Sequence, residues 1–416
     1  MRVRLPYGRG HLDVEVPDDA VVVEPVDRPA LADQGRAVSA ALAAPVSGPP
    51  LAELVAPGDT VAVVFPDITR PMPNRTVLPP ILADLERLGA GPERVMLLCA
   101  TGTHRAATDE EMAELVGPEI AARYRIHQHR SDDDHVVVGQ VDGVDIGLDP
   151  RYVEADVRLC TGFVEPHFFA GFSGGPKGVC PGLTATATIL EAHSPARIAD
   201  PSATWLVTRG NPVHDFVRAA TALCPPSLSV DVALNSRQEL TAVFAGPLPD
   251  GHDAACELVE RTAVQRVAGR FDVVVGTGGG HPLDRNLYQA VKGMAAAERV
   301  VVAGGTVLLA AACGDGVPGD GPFARLLAQA TSPAELAAAG GRSEADRWQA
   351  QVLGRVLERA RVGLHTDGMS DSTVRGALCD PVADLSEAVA GALSAAGPGA
   401  RCCVLPQGPL AVAVAD

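Results

Sequence analysis

The chain has 416 residues, of which 47% are hydrophobic, 20% charged and only 4% aromatic. That length exceeds one ordinary core, so two domains are expected. A net charge of -17 argues against nucleic acid and anionic membranes as partners, because both require a basic face, but it does not exclude a small anionic substrate.

No stretch approaches the roughly 18 apolar residues of a membrane span. The opening Met1-Arg-Val-Arg lacks the apolar region of a signal peptide. Nine cysteines with no Cys-x-x-Cys pair read as reduced thiols, which points to a cytoplasmic protein.

In chain order, short apolar runs end in turns that carry chemistry. Residues 60–65 (TVAVVF) read as a buried strand ending at Pro66-Asp67. A helical stretch follows over 77–88, then a strand over 95–100 that ends at Thr101-Gly-Thr-His104. Residues 157–160 form a short strand before Thr161-Gly162. Residues 271–275 (FDVVV) end at a run of glycines. Two strands are expected over 299–303 and 306–311, a helix over 343–361, and a last strand over 401–405.

Continuous apolar strands alternating with helices predict an α/β fold. Its two α/β domains would have mostly parallel sheets. The expected division is 1–268, which 400–416 would rejoin, and 269–399. In such sheets function collects beyond the carboxyl ends of strands. The distinctive polar residues sit at four of those ends: 66–71, 101–105, 161–177 and 276–292.

Asp67, Thr69 and Arg70 precede Pro71 and Pro73, so the guanidinium stands on a stiff loop. Arginine suits bidentate recognition of a carboxylate or phosphate. The bland alternative is an ion pair that closes a turn. His104 is placed to act as a general base near neutral pH, or to be a hydrogen-bonded loop residue.

The segment from His167 to Gly182 is the densest. Gly171, Gly174, Gly175, Gly178 and Gly182 surround Lys177, and His193 follows. Gly-Gly-x-Lys-Gly lacks the spacing of a phosphate-binding P-loop. Lys177 is therefore read as a phosphate clamp or a covalent attachment point, and the histidines as metal ligands or acid/bases. In the last segment, Tyr288, Gln289 and Lys292 share one face of a helix expected to begin near Asp284, a plausible seat for a carboxylate.

Residues 127–135 hold three histidines and three aspartates without the spacing of a metal site, and read as a solvated loop. His11, His214, His252, His281 and His365 have no supporting context.

Asp-x-Thr-Arg-Pro, Thr-Gly-Thr-His-Arg, His-x6-Gly-Gly-x-Lys, a downstream His and Leu-Tyr-Gln-x-x-Lys, in that order, resemble the lactate racemase family. The resemblance covers about 60–350 and implies two α/β domains with an active-site cleft between them, and racemisation or epimerisation at C2 of a small anionic 2-hydroxy acid. It also implies a nickel-pincer nucleotide, nickel pyridinium-3,5-bisthiocarboxylic acid mononucleotide, made by separate biosynthetic enzymes.

By the same resemblance, Lys177 tethers the cofactor, with Gly174, Gly175 and Asp67 supporting it, and His193 ligates nickel. His104 and His167 are the acid/bases. Arg70, Tyr288, Gln289, Lys292 and Trp348 meet the substrate. One departure stands out: many members have Arg-Lys-Ser where this chain has Pro176-Lys177-Gly178. The alternatives are a protein that only binds the nickel nucleotide, or a dehydratase or dehydrogenase on the same scaffold. No Gly-x-Gly-x-x-Gly turn with its helix and acidic residue is found for a dissociable nicotinamide.

Overall fold

A computed structural model describes residues 1–318, 321–338 and 343–416. It contains two six-stranded sheets, each the centre of an α/β unit. The first runs Leu240–Gly246, Leu228–Leu234, Val157–Phe163, Val61–Pro66, Val95–Ala100, Arg125–Gln128. Every neighbouring pair is parallel except Leu228–Leu234 with Leu240–Gly246. The second runs Asp380–Pro381, Arg361–His365, Val301–Ala310, Phe271–Thr277, Cys402–Leu405, Val21–Val22, and is parallel throughout.

The central strands are apolar on both faces because helices cover both faces. The helix Asn74–Arg87 buries Val77, Leu78, Ile81, Leu82 and Leu85, the spacing of one helical stripe. Each such side chain contributes on the order of 1.5–3 kcal/mol on burial. Leu287–Glu298 likewise buries Leu287, Ala290, Val291 and Met294. Tyr288, Gln289 and Lys292 are thereby left facing the first domain's loops.

Five expectations need correction. Residues 400–416 do not rejoin the first sheet: Cys402–Leu405 lies beside Phe271–Thr277, and Val412–Ala415 pairs with Val264–Val267. Nor does the N-terminus stay with the first sheet. Its hairpin, Arg2–Tyr7 with Gly10–Glu15, packs Leu5 and Val14 against Val273, Val275 and Leu308.

The two strands expected over 299–311 are one, Val301–Ala310, bulged where the register jumps from Phe271↔Val301 to Val273↔Thr306. Gly304 sits in that bulge at φ +77, which a side chain would resist. Finally, the helix expected from Asp284 begins at Leu287, with the Asn286 side chain accepting from the Gln289 N–H at 3.0 Å. Asp284 instead staples loops, accepting from the N–H groups of Gly8 and Ala312. The C-terminal helix, expected over 343–361, spans Arg347–Arg359. Residues 339–342 lie outside the described segments.

Candidate active site

The loops beyond the carboxyl ends of Val61–Pro66, Val95–Ala100 and Val157–Phe163 face the helix that follows Phe271–Thr277. Between them lies a cavity of about 150 Å³. Asp67, Arg70, His104, His167, Gly174, Lys177, His193, Tyr288, Gln289, Lys292 and Trp348 all line it. Gly175 lies just beneath.

On the first wall, Asp67 is buried and its Oδ2 accepts from His104 Nδ1 at 2.8 Å. Its Oδ1 accepts from the Thr69 hydroxyl at 2.7 Å. Burial would raise this carboxyl, but the bonds from His104 and Thr69 and the Arg70 charge outweigh it, so it is held below its ordinary range. With its Nδ1–H donated to the Asp67 carboxylate, the neutral tautomer of His104 leaves its Nε2 lone pair free.

His167 differs. Its ring stacks on Phe168 at 4.8 Å between centroids, and Nδ1 accepts from the Ala170 N–H at 3.3 Å. The neutral ring therefore carries its proton on Nε2. Burial, then the charges of Lys177, Arg70 and Lys292, push its pKa well below the usual imidazole range.

Lys177 sits in a 3-10 turn, Gly175–Gly178, with Nζ 5.7 Å from the centroid of Phe169. Enclosure, then the charges of Arg70 and Lys292, hold its ammonium well below the ordinary lysine value. An amine so poised is neutral in a usable fraction and nucleophilic. The sequence contains only one other lysine, Lys292, across the same cavity; every other strongly basic side chain is an arginine. Enclosure and Arg70 bring Lys292 down to about 8.

His193 caps the helix Thr186–Ala192, and its Nδ1–H donates to the Ile189 carbonyl at 2.8 Å. That bond fixes the tautomer with Nε2 unprotonated, the usual arrangement for a metal-ligating histidine. Burial brings its pKa down to about 4, so it stays neutral and able to ligate. Trp348 lies 4.5 Å from its ring and donates to the Tyr288 hydroxyl at 2.9 Å.

The glycine turn rests on residues the sequence did not single out. The Gly175 N–H donates to Asp231 Oδ1 at 2.7 Å, and the Ser229 hydroxyl donates to Oδ2 at 2.7 Å. Gly174, at φ +77, admits no side chain: a Cβ would lie 2.7 Å from Asp231 Oδ1. At Gly175 a Cβ would lie 2.4 Å from the His252 ring. His252 Nε2 bonds the Ser173 carbonyl at 2.9 Å, and its ring stacks on His214 at 5.8 Å. Both histidines set aside as lacking context are thus pillars under the turn.

Gly178 accounts for part of the departure from Arg-Lys-Ser. A Cβ there would meet Cys160 Sγ at 2.5 Å, so the thiol fills the space a serine would need. Nothing in the structure explains Pro176 in place of arginine.

The histidine-rich stretch 127–135 is not a fully solvated loop. His129 is 2% exposed, with Nδ1 3.2 Å from Asp149 Oδ2 and Nε2 3.1 Å from the Thr184 carbonyl. It ties the end of the first sheet to the chain beyond Lys177.

Comparison with known proteins gives the family and the fold. The family described as Lactate racemase N-terminal domain matches residues 7–205, and Lactate racemase C-terminal domain matches 267–414. The lactate racemase of Thermoanaerobacterium thermosaccharolyticum is 31% identical, covering 98% of this chain and 97% of that protein. That of Lactiplantibacillus plantarum is also 31% identical, covering 98% of each.

The structure of the T. thermosaccharolyticum lactate racemase apoprotein superposes with a TM-score of 0.92 over 99% of this chain and 100% of that one. A Thermotoga maritima protein at 17% identity shares the fold, with a TM-score of 0.69 over 93% of this chain and 100% of that one. The two α/β domains and their cleft are those of an isomerase of the racemase class. The chain belongs to the lactate racemase family.

Proposed function

We propose that this enzyme inverts C2 of a small 2-hydroxy acid, using a nickel-pincer nucleotide tethered to Lys177 and ligated by His193. The observation that carries the reading is the convergence of Asp67–His104, His167, Lys177, His193, Arg70 and Lys292 on one cavity. The chain's own groups fit such a cofactor. Lys177 offers a depressed amine, His193 an unprotonated Nε2, and Gly174 a backbone that passes where no side chain fits. Separate enzymes must supply the nucleotide.

When bound, the nucleotide supplies a hydride acceptor, which a 2-hydroxy carboxylate needs because proton loss at C2 would place a second negative charge beside the first. Everything else falls to side chains. Arg70 and Lys292 hold the carboxylate while the rest of the substrate turns. His104 removes the hydroxyl proton of one enantiomer through Nε2, and Asp67 stabilises the imidazolium that results. His167 serves the opposite enantiomer, because the hydroxyl then points the other way; to accept that proton at Nε2 it must carry its own on Nδ1, giving up the contact from the Ala170 N–H. Each base contributes roughly 10²–10⁴ in rate.

A proton that leaves through one histidine returns from the other, so His167 must enter protonated when His104 enters neutral. Tethering helps: it removes the Lys177 ammonium, the largest charge depressing His167. The substrate carboxylate offsets Arg70 and Lys292. The long contact from the Ala170 N–H is given up when His167 takes its second proton.

The test is intact mass and nickel content of protein co-produced with the cofactor-making enzymes, followed by chiral assay of 2-hydroxy acids. An adduct on Lys177, stoichiometric nickel and racemisation support the reading. A loaded protein that racemises none of them would move it to a dehydratase, a dehydrogenase or a carrier of the nucleotide.

A further inference from the structure

Glu165 was not singled out by its sequence context, yet it lies at the centre of the site's charge. Its Oε1 is 3.7 Å from Arg70 Nη1, and its side chain is 15% exposed. Among the described residues it is the only carboxylate in ion-pair range of Arg70. Its backbone is fixed: the Glu165 N–H donates to the Ser173 hydroxyl at 3.0 Å, and the Ser173 N–H donates to the Glu165 carbonyl at 2.9 Å. Behind the main cavity, Glu165, Arg70, His167 and Lys292 line a side chamber of about 20 Å³, room for roughly one water molecule.

The charges facing Lys292 can be counted. Arg70, Lys177 and His167 are the basic groups, and Asp67 and Glu165 the acidic ones. Asp346, at the start of the facing helix, is engaged by the Tyr288 hydroxyl. Asp67 is engaged by His104. Tethering, on the function proposed above, makes Lys177 neutral. What remains is Arg70, Lys292 and the one protonated histidine of the acid/base pair against Asp67 and Glu165, one net positive charge in an enclosed seat.

We propose that Glu165 is the positioning and specificity-determining counter-ion of the substrate seat: it holds Arg70 beside Lys292 and sets their net charge to match a single carboxylate. A monocarboxylate neutralises the seat. A dicarboxylate leaves a buried negative charge facing Glu165, which disfavours it.

The two-lysine composition gives a test that does not depend on turnover. Protein carrying ¹³C,¹⁵N-lysine shows only two side-chain amines, those of Lys177 and Lys292. In the cofactor-free chain Lys292 titrates near 8. Glu165→Gln removes the negative neighbour, so its midpoint falls; Glu165→Asp keeps it near the wild-type value. In the loaded enzyme, Glu165→Gln raises KM for lactate most above neutral pH. It also raises the malate-to-lactate ratio of kcat/KM by about tenfold, the effect of removing one like charge from a desolvated seat.

An unmoved Lys292 midpoint in Glu165→Gln overturns the proposal, as does an unchanged malate-to-lactate ratio. Failure of the loaded wild type to racemise any 2-hydroxy acid would count against the proposed function, while the lysine titration would still decide whether Glu165 is the counter-ion.

Discussion

Buried Asp67 and the more exposed His104 form a carboxylate–imidazole pair, 2.8 Å apart, that leaves Nε2 of the histidine facing the cavity. The carboxylate fixes the tautomer and receives the charge when the ring is protonated. Asp67→Asn keeps the shape but removes that charge. We expect kcat to fall about 10²-fold or more with KM little changed, measured by chiral assay of the loaded enzyme. Equal losses in kcat and KM would show that Asp67 matters only for the loop's shape.

His193 and His104 should separate cleanly. His193→Ala is expected to retain the Lys177 adduct in the intact mass but to lose most of its nickel by elemental analysis. His104→Ala is expected to retain both and lose turnover. Nickel retained in His193→Ala would place the metal on another residue.

Cys160 and Gly178 should behave as a coupled pair. Gly178→Ser forces a side chain onto the Cys160 thiol and should cost about 1–3 kcal/mol, read from the denaturant midpoint. Cys160→Ala should recover part of that loss in the double variant. Simple additivity of the two changes would mean the loop yields elsewhere.

The turn's pillars should make the fold acid-sensitive. Burial, then the neighbouring His252, bring His214 down to about 3, while in the unfolded chain it titrates near its ordinary value of about 6.5. The unfolded state therefore binds the extra proton first. Stability is fully present above about 6.5 and falls as the pH drops toward about 3, by on the order of 1.4 kcal/mol per pH unit for this group. His214→Gln should flatten that slope by about one proton in denaturant titrations between pH 6 and 4. An unchanged slope would assign the acid sensitivity to other groups.

Much of this site was readable because it sits at strand ends. Apolar runs at 60–65, 95–100, 157–160 and 271–275 marked the strands, and the polar residues just beyond them converge on the cavity. What escaped lies beneath and behind. Asp231 had a usable signal: Ser229 and Asp231 alternate within Leu228–Leu234, so both point to one face and a buried polar contact there. His214, His252 and Cys160 had none, because what they support is more than 30 positions away for two of them and set by packing alone. Glu165 was hidden by the louder Pro166-His167 beside it. The domain limits were blurred by pairing between distant segments, as Val21–Val22 and Cys402–Leu405 share one sheet.

With both of its lysines inside the cleft, the enzyme offers amine-directed reagents no lysine on its outer surface. Ester-activated dyes, biotin reagents and amine-coupled sensor surfaces therefore find no lysine to attach to outside the cleft, and a substrate or cofactor that fills the cleft should protect both lysine amines.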